Sequence, residues 1–85
     1  MTDSTENITI HHQLDTKGLR CPEPIMMLHR VVRKAQSGEV IELLATDPST
    51  SWDIAKFCTH LNHTLLLQQE TPTQPTEYRY LIQKG

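Results

Sequence analysis

The sequence predicts an α+β two-layer sandwich of order β-α-β-α-β-β, with two helices packed on one face of a four-stranded mixed sheet. Three observations lead there. Apolar residues recur at helical spacing in two stretches, Ile25, Leu28, Val32 and Ala35 in one and Ile54, Phe57, Cys58 and Leu61 in the other. Residues 40–46 (VIELLAT) are β-rich and nearly all apolar, as a central strand is. Residues 64–69 (TLLLQQ) and 78–83 (YRYLIQ) flank a segment holding Pro72 and Pro75, the pattern of a hairpin.

Each element can be placed in order. Residues 1–9 are polar and without pattern, and read as a disordered tail before a single domain over 10–85. Residues 11–15 (HHQLD) read as a short edge strand with Leu14 as its inward anchor. Gly18 pivots the loop that follows. A helix then begins at Pro22 or Pro24 and runs to Gln36, with Val31 widening its apolar stripe. His29, Arg30, Arg33 and Lys34 take its other side, and Gly38 is positioned as a left-handed cap. After the 40–46 strand, Asp47-Pro48-Ser49-Thr50 signals a second helix, with Thr50 and Asp53 at capping-box spacing. Asn62 is suited to the left-handed turn that ends it.

Composition narrows the function classes. Eighty-five residues leave room for one core. A formal net charge of −2 gives no overall basic field to attract a polyanion, and 5 % aromatics are too few for a base-stacking platform. No apolar run approaches the roughly 20 residues a membrane-spanning helix needs. The N-terminus carries Asp3 and Glu6 and lacks a basic-then-apolar signal pattern, so a cytoplasmic location is expected. Two cysteines in such a chain are expected to be reduced thiols.

The most informative stretch is Gly18-Leu19-Arg20-Cys21-Pro22-Glu23-Pro24. Pro22 drives Cys21 towards extended geometry, as a helix N-cap requires. The sulfur is then expected within about one turn of the positive end of the helix dipole, which favours a moderately acidified, exposed thiolate. Arg20 acts in the same direction, and Glu23 opposes it if its carboxylate faces the sulfur. The same features fit an incidental surface thiol ahead of a proline-started helix, and residue type alone does not choose.

Other candidates have simpler readings. Cys58 is in register with Ile54 and Phe57 and reads as a small buried hydrophobe; no C-x-x-C supplies Cys21 with a resolving partner. Five histidines invite a metal reading, but the spacing of His60 and His63 is loose and His11 and His12 point to opposite strand faces, so no metal site is expected. Asp47 and Asp53 read as helix-capping residues before they read as an acid–base pair. Lys17, Arg20, Arg30, Arg33 and Lys34 form a basic cluster around and after the cysteine, suited either to solvation or to steering a partner.

With these residues in view, the chain resembles the TusA (SirA-like) family of sulfur-carrier proteins. The resemblance runs from Leu14-Asp15 to Tyr78-Arg79-Tyr80-Leu81-Ile82. Its most specific part is the Cys21-Pro22-Glu23-Pro24 motif with Gly18 and Arg20 ahead of it, supported by Asp47-Pro48, Asp53-Ile54, Phe57-Cys58 and His63. It implies the same two-layer fold and makes Cys21 a persulfide carrier. A cysteine desulfurase supplies sulfane sulfur and a downstream relay protein removes it, ultimately for 2-thiolation of the tRNA wobble uridine, so tRNA is met only indirectly. No cofactor is implied, and the protein is expected to act as a monomeric transfer component more than as a free-standing enzyme. Lys17, Arg30, Arg33, Lys34, Asp47 and Trp52 are the candidate docking residues. The rival from another class is a non-catalytic regulatory or RNA-binding module, against which the low aromatic content and acidic net charge argue.

Overall fold

The structure, a computed structural model, describes residues 8–85; residues 1–7 of the expected tail lie outside the described residues. The elements are β1 (His12–Thr16), α1 (Glu23–Lys34), β2 (Val40–Ala45), α2 (Thr50–Leu61), β3 (Thr64–Thr71) and β4 (Glu77–Gln83). The sheet order is β1-β2-β4-β3. β1 and β2 are parallel, and the other two pairs are antiparallel. This is the expected α+β sandwich with a mixed sheet.

Burial follows from that order. β2 and β4 are the two central strands, and their apolar runs suit positions flanked on both sides. Ile41, Leu43, Ala45, Tyr80 and Ile82 face the helices and meet Leu28, Val32, Ile54, Phe57 and Cys58 in one core. Leu14 packs against its margin as the inward residue of β1. The α1 stripe is buried as its spacing requires, with Leu28 fully enclosed and Ile25 at the edge.

Three local expectations change. Helix α1 stops at Lys34, because Ala35 is already extended (ψ 156°). Gly38 (φ 89°) instead serves the Gln36–Glu39 turn, where the Glu39 N–H reaches the Gln36 carbonyl at 3.0 Å. Thr50 and Asp53 form no capping box: no side chain of the Ser49 cap bonds the helix, and the Thr50 hydroxyl is turned inward to the Asp47 carbonyl and Tyr80. Leu61 leaves the buried face of α2 and is 45 % exposed. Asn62 closes α2 in the left-handed conformation (φ 60°), as expected.

The face of the sheet away from the helices is half apolar. A bulge in β3 between Leu65 and Leu67 reverses the alternation there. Leu65 therefore pairs with Ile82 on the helix side, and Leu67 pairs with the fully buried Leu81 on the other. Glu42 and Arg79 bridge this outer face at 2.6 Å, and Gln13 donates to Glu42 at 3.2 Å.

Leu28 is the keystone of the α1 contact. Leu28→Ala is expected to lower unfolding free energy by about 2–5 kcal/mol, read from the denaturant midpoint. A loss under about 1 kcal/mol would mean that α1 is not held by this side chain.

Candidate functional site

The site is built where the β1–α1 loop meets the β2–α2 loop. Gly18 takes φ 86°, which lets its N–H reach Thr46 Oγ1 at 2.9 Å, while the Leu19 N–H returns to the Thr16 carbonyl at 3.0 Å. The chain then passes Arg20 and Cys21 and enters α1 through Pro22, which is the N-cap residue. Cys21 therefore lies one residue outside the cap it was expected to occupy. Glu23 is the first helical residue, its N–H bonded to the Arg20 carbonyl at 2.9 Å; Pro24 is buried in the first turn.

Asp47 joins the two loops. Its Oδ2 accepts the Cys21 backbone N–H at 2.6 Å and its Oδ1 accepts the Ser49 N–H at 3.0 Å. Its carbonyl accepts the Thr50 hydroxyl at 2.7 Å, so Tyr80 Oη, 2.9 Å from that hydroxyl, is the donor to Thr50. A chain of contacts thus runs from the central strand β4, where the Thr50–Tyr80 bond is buried, to the exposed backbone of the cysteine. The backbone N–H groups of Ser49 and Cys21 hold the Asp47 carboxyl below its ordinary range, and the charge of Arg20 adds to the effect.

Cys21 is exposed and Cys58 is buried; neither is in a disulfide. Burial pushes the Cys58 thiol up to about 11, consistent with an inert packing role. Cys21 does not show the expected acidification. Shielding by its surroundings, then Asp53 as hydrogen-bond acceptor and as charge, then the charge of Asp47, hold its thiol above the ordinary value. The Ser49 hydroxyl pulls the other way. The proton is held by shielding and by Asp53 with Asp47, against Ser49; Arg20 and Glu23 are not among the leading influences.

The sulfur stands at one end of an open groove of about 360 Å³ between the two helices. Ile25, Phe57 and Leu61 make its floor, while His29, Asp53, Lys56 and His60 line its sides. His29 is set edge-on to Phe57 at 4.7 Å. Leu61, turned outward, lines this groove. Among the candidate docking residues, Arg30 and Arg33 share a shallow depression with His29 and the half-exposed Met26 on the outer side of α1. Lys17 and Lys34 are exposed without a place in either hollow. Trp52 is 71 % exposed in a separate hollow beside Gln68, Gln69 and Tyr78. Met26 and Lys56 are the site-region residues that sequence reasoning passed over, while Asp53 and Leu61 entered it only as a helix cap and a buried-face residue. Met26 was open to discovery, because it falls off the Ile25–Leu28–Val32 stripe.

Fold and site together define a small α+β domain that presents one thiol, backbone-clamped and open to solvent, at the mouth of an apolar groove. The family model described as Sulfurtransferase TusA matches residues 12–84. The chain belongs to that family of sulfurtransferases. Among solved structures it is similar to a SirA-like protein from Desulfitobacterium hafniense, with a TM-score of 0.67 and 12 % identity over 88 % of this chain and 100 % of that one. At that identity the likeness is one of fold. No helix is long and apolar enough to cross a membrane among the described residues.

Asp47 supplies a direct test of the clamp. Asp47→Ala is expected to cost about 1–2 kcal/mol of stability through the lost helix-start contacts. Because the folded carboxyl ionises below its unfolded value of about 3.9, its contribution is complete above that pH and is lost as pH falls through the folded value. The Cys21 amide proton in NMR spectra is expected to shift with this titration; a Cys21 signal flat between about pH 2 and 5 would remove the clamp.

Proposed function

We propose that Cys21 carries sulfane sulfur as a persulfide, loaded by a cysteine desulfurase and passed to a downstream relay protein for 2-thiolation of the tRNA wobble uridine. The observation that supports this most is the contrast between the two thiols: Cys21 is exposed on a clamped loop, and Cys58 is enclosed in the core. A carrier must meet two partners in turn, so its sulfur has to stand clear of the surface. It also needs no neighbouring thiol that would close on it as a disulfide.

In the loading step the Cys21 thiolate attacks the outer sulfur of the donor's cysteine persulfide. The donor S–S bond breaks, its inner sulfur leaves as a thiolate and takes a proton, and the new S–S bond is on Cys21. No oxidant or reductant is consumed. The groove floor of Ile25, Phe57 and Leu61 offers an apolar seat for the partner segment that brings its cysteine to the site. Met26 offers an apolar anchor between arginines, and Arg30 and Arg33 suit an acidic surface on the donor. Lys17 and Lys34 are further exposed cations open to a partner, Trp52 offers it an aromatic contact, and Asp47 contributes by holding the loop. Gly18, Arg20, Pro22, Glu23 and Pro24 shape the loop and helix start that present the sulfur.

Incubation with a cysteine desulfurase and cysteine is expected to add one sulfur by intact mass spectrometry. The adduct should be removed by reductant, be lost in Cys21→Ser and persist in Cys58→Ser. No adduct, or an adduct confined to Cys58, would overturn the reading.

Steering is tested separately. Raising ionic strength from about 0.05 to 0.5 M is expected to slow desulfurase-dependent loading several-fold. In Arg30→Glu/Arg33→Glu, loading should be slow at low salt and lose most of that dependence. A salt-independent wild-type rate would exclude steering.

A further inference from the structure

The two carboxylates beside Cys21 have no evident use in loading, where a thiolate is wanted. Their value lies in the loaded state. A persulfide is a stronger acid than its parent thiol, so an unassisted Cys21 persulfide would stand largely as an anion at neutral pH. That anion is a nucleophile, and it repels the acceptor thiolate that has to attack it.

We infer that Asp53, backed by Asp47, keeps the terminal sulfur of the loaded Cys21 protonated and so open to attack by the acceptor. The inference rests on the persulfide reading and deepens it. Its geometric basis is the site itself. Asp53 lines the same groove as Cys21, and Asp47 is fixed to the Cys21 backbone at 2.6 Å. A carboxylate that accepts a hydrogen bond from S–S–H favours the protonated form, and a second fixed negative charge acts in the same direction. The opposing groups are also in view: Arg20 in the loop, Lys56 and His60 on α2, and His29 on α1, with Glu23 adding a further negative charge at the start of α1. Among the charged side chains, Asp53 and then Asp47 weigh most on the Cys21 thiol.

The transfer then balances. The acceptor thiolate attacks the outer sulfur, the Cys21 S–S bond breaks, and the electron pair stays on Cys21 Sγ. The outer sulfur leaves with its proton as the acceptor's persulfide. Cys21 takes a proton from solvent, which the same two carboxylates favour, and this removes the nucleophile that would reverse the step. Asp53 is thus a catalytic residue for unloading, and Asp47 a positioning residue that fixes the sulfur beside it.

The test loads wild type, Asp53→Asn and Asp53→Glu with inorganic polysulfide, with Cys21→Ser as the control that locates the sulfur. Two reactions of the loaded protein are followed from about pH 5 to 9. Cyanide attacks the outer sulfur as an electrophile and releases thiocyanate; iodoacetamide captures the same sulfur as a nucleophile. In Asp53→Asn at pH 7, cyanolysis is expected to be about three- to tenfold slower and alkylation faster by a similar factor. Asp53→Glu should stay near wild type. Opposite signs in the two reactions are the signature of protonation control. Unchanged rates, or both rates falling together as a structural defect would make them, overturn the inference. Failure of the desulfurase to load Cys21 would overturn the carrier reading alone, because the chemically loaded protein still reports on Asp53.

Discussion

The two oxygens of the Asp47 carboxylate are bonded to different segments of the chain, Oδ2 to the Cys21 N–H and Oδ1 to the Ser49 N–H. The rest of the site depends on this arrangement. A loop carrying Gly18 and ending in Pro22 has few backbone bonds of its own, and one charged acceptor gives it a fixed distance from α2. Behind Asp47, the Thr50 hydroxyl and Tyr80 Oη extend the connection into the central strand. The reactive sulfur is thereby referred to the most deeply buried part of the sheet, although it stands in solvent itself.

That arrangement reconciles exposure with position. A thiol that meets large partners must project from the surface, and projecting groups are usually poorly held. Here the backbone is held and only the side chain is free. The groove beside it has the complementary character, with Ile25 and Phe57 shared between groove floor and core. Two helices placed side by side on one sheet face leave such a furrow between them, and the outward Leu61 lengthens its apolar floor.

The electrostatics run against the simplest view of a reactive cysteine. A helix N-terminus favours a thiolate, yet Cys21 lies one residue outside the cap and two carboxylates of the opposite loop and helix face it. Shielding from solvent and the near charges together outweigh a dipole that falls off within a turn. A thiol kept protonated at rest is less open to stray oxidation and alkylation, since the thiolate is the reactive form. Such protection suits a group that has to react with chosen partners only.

Periodicity and punctuation alone settled the order of elements, the buried face of α1 and that of α2 up to Cys58, and the left-handed Asn62, because each depends on neighbours within a few residues in the chain. The exposed Cys21 was legible for the same reason, being tied to the local Pro22-Glu23-Pro24 break. Tertiary structure decided the insertion of β4 between β2 and β3, the bulge that sends Leu67 to the outer face, and the outward turn of Leu61. It also decided the environment of the sulfur. Asp47 and Asp53 lie 26 and 32 positions beyond Cys21 in the sequence, and each looked locally like a helix cap. Only the packing of α2 beside α1 turns those caps into charges on a thiol, because Coulomb interactions follow distance in space and not separation along the chain.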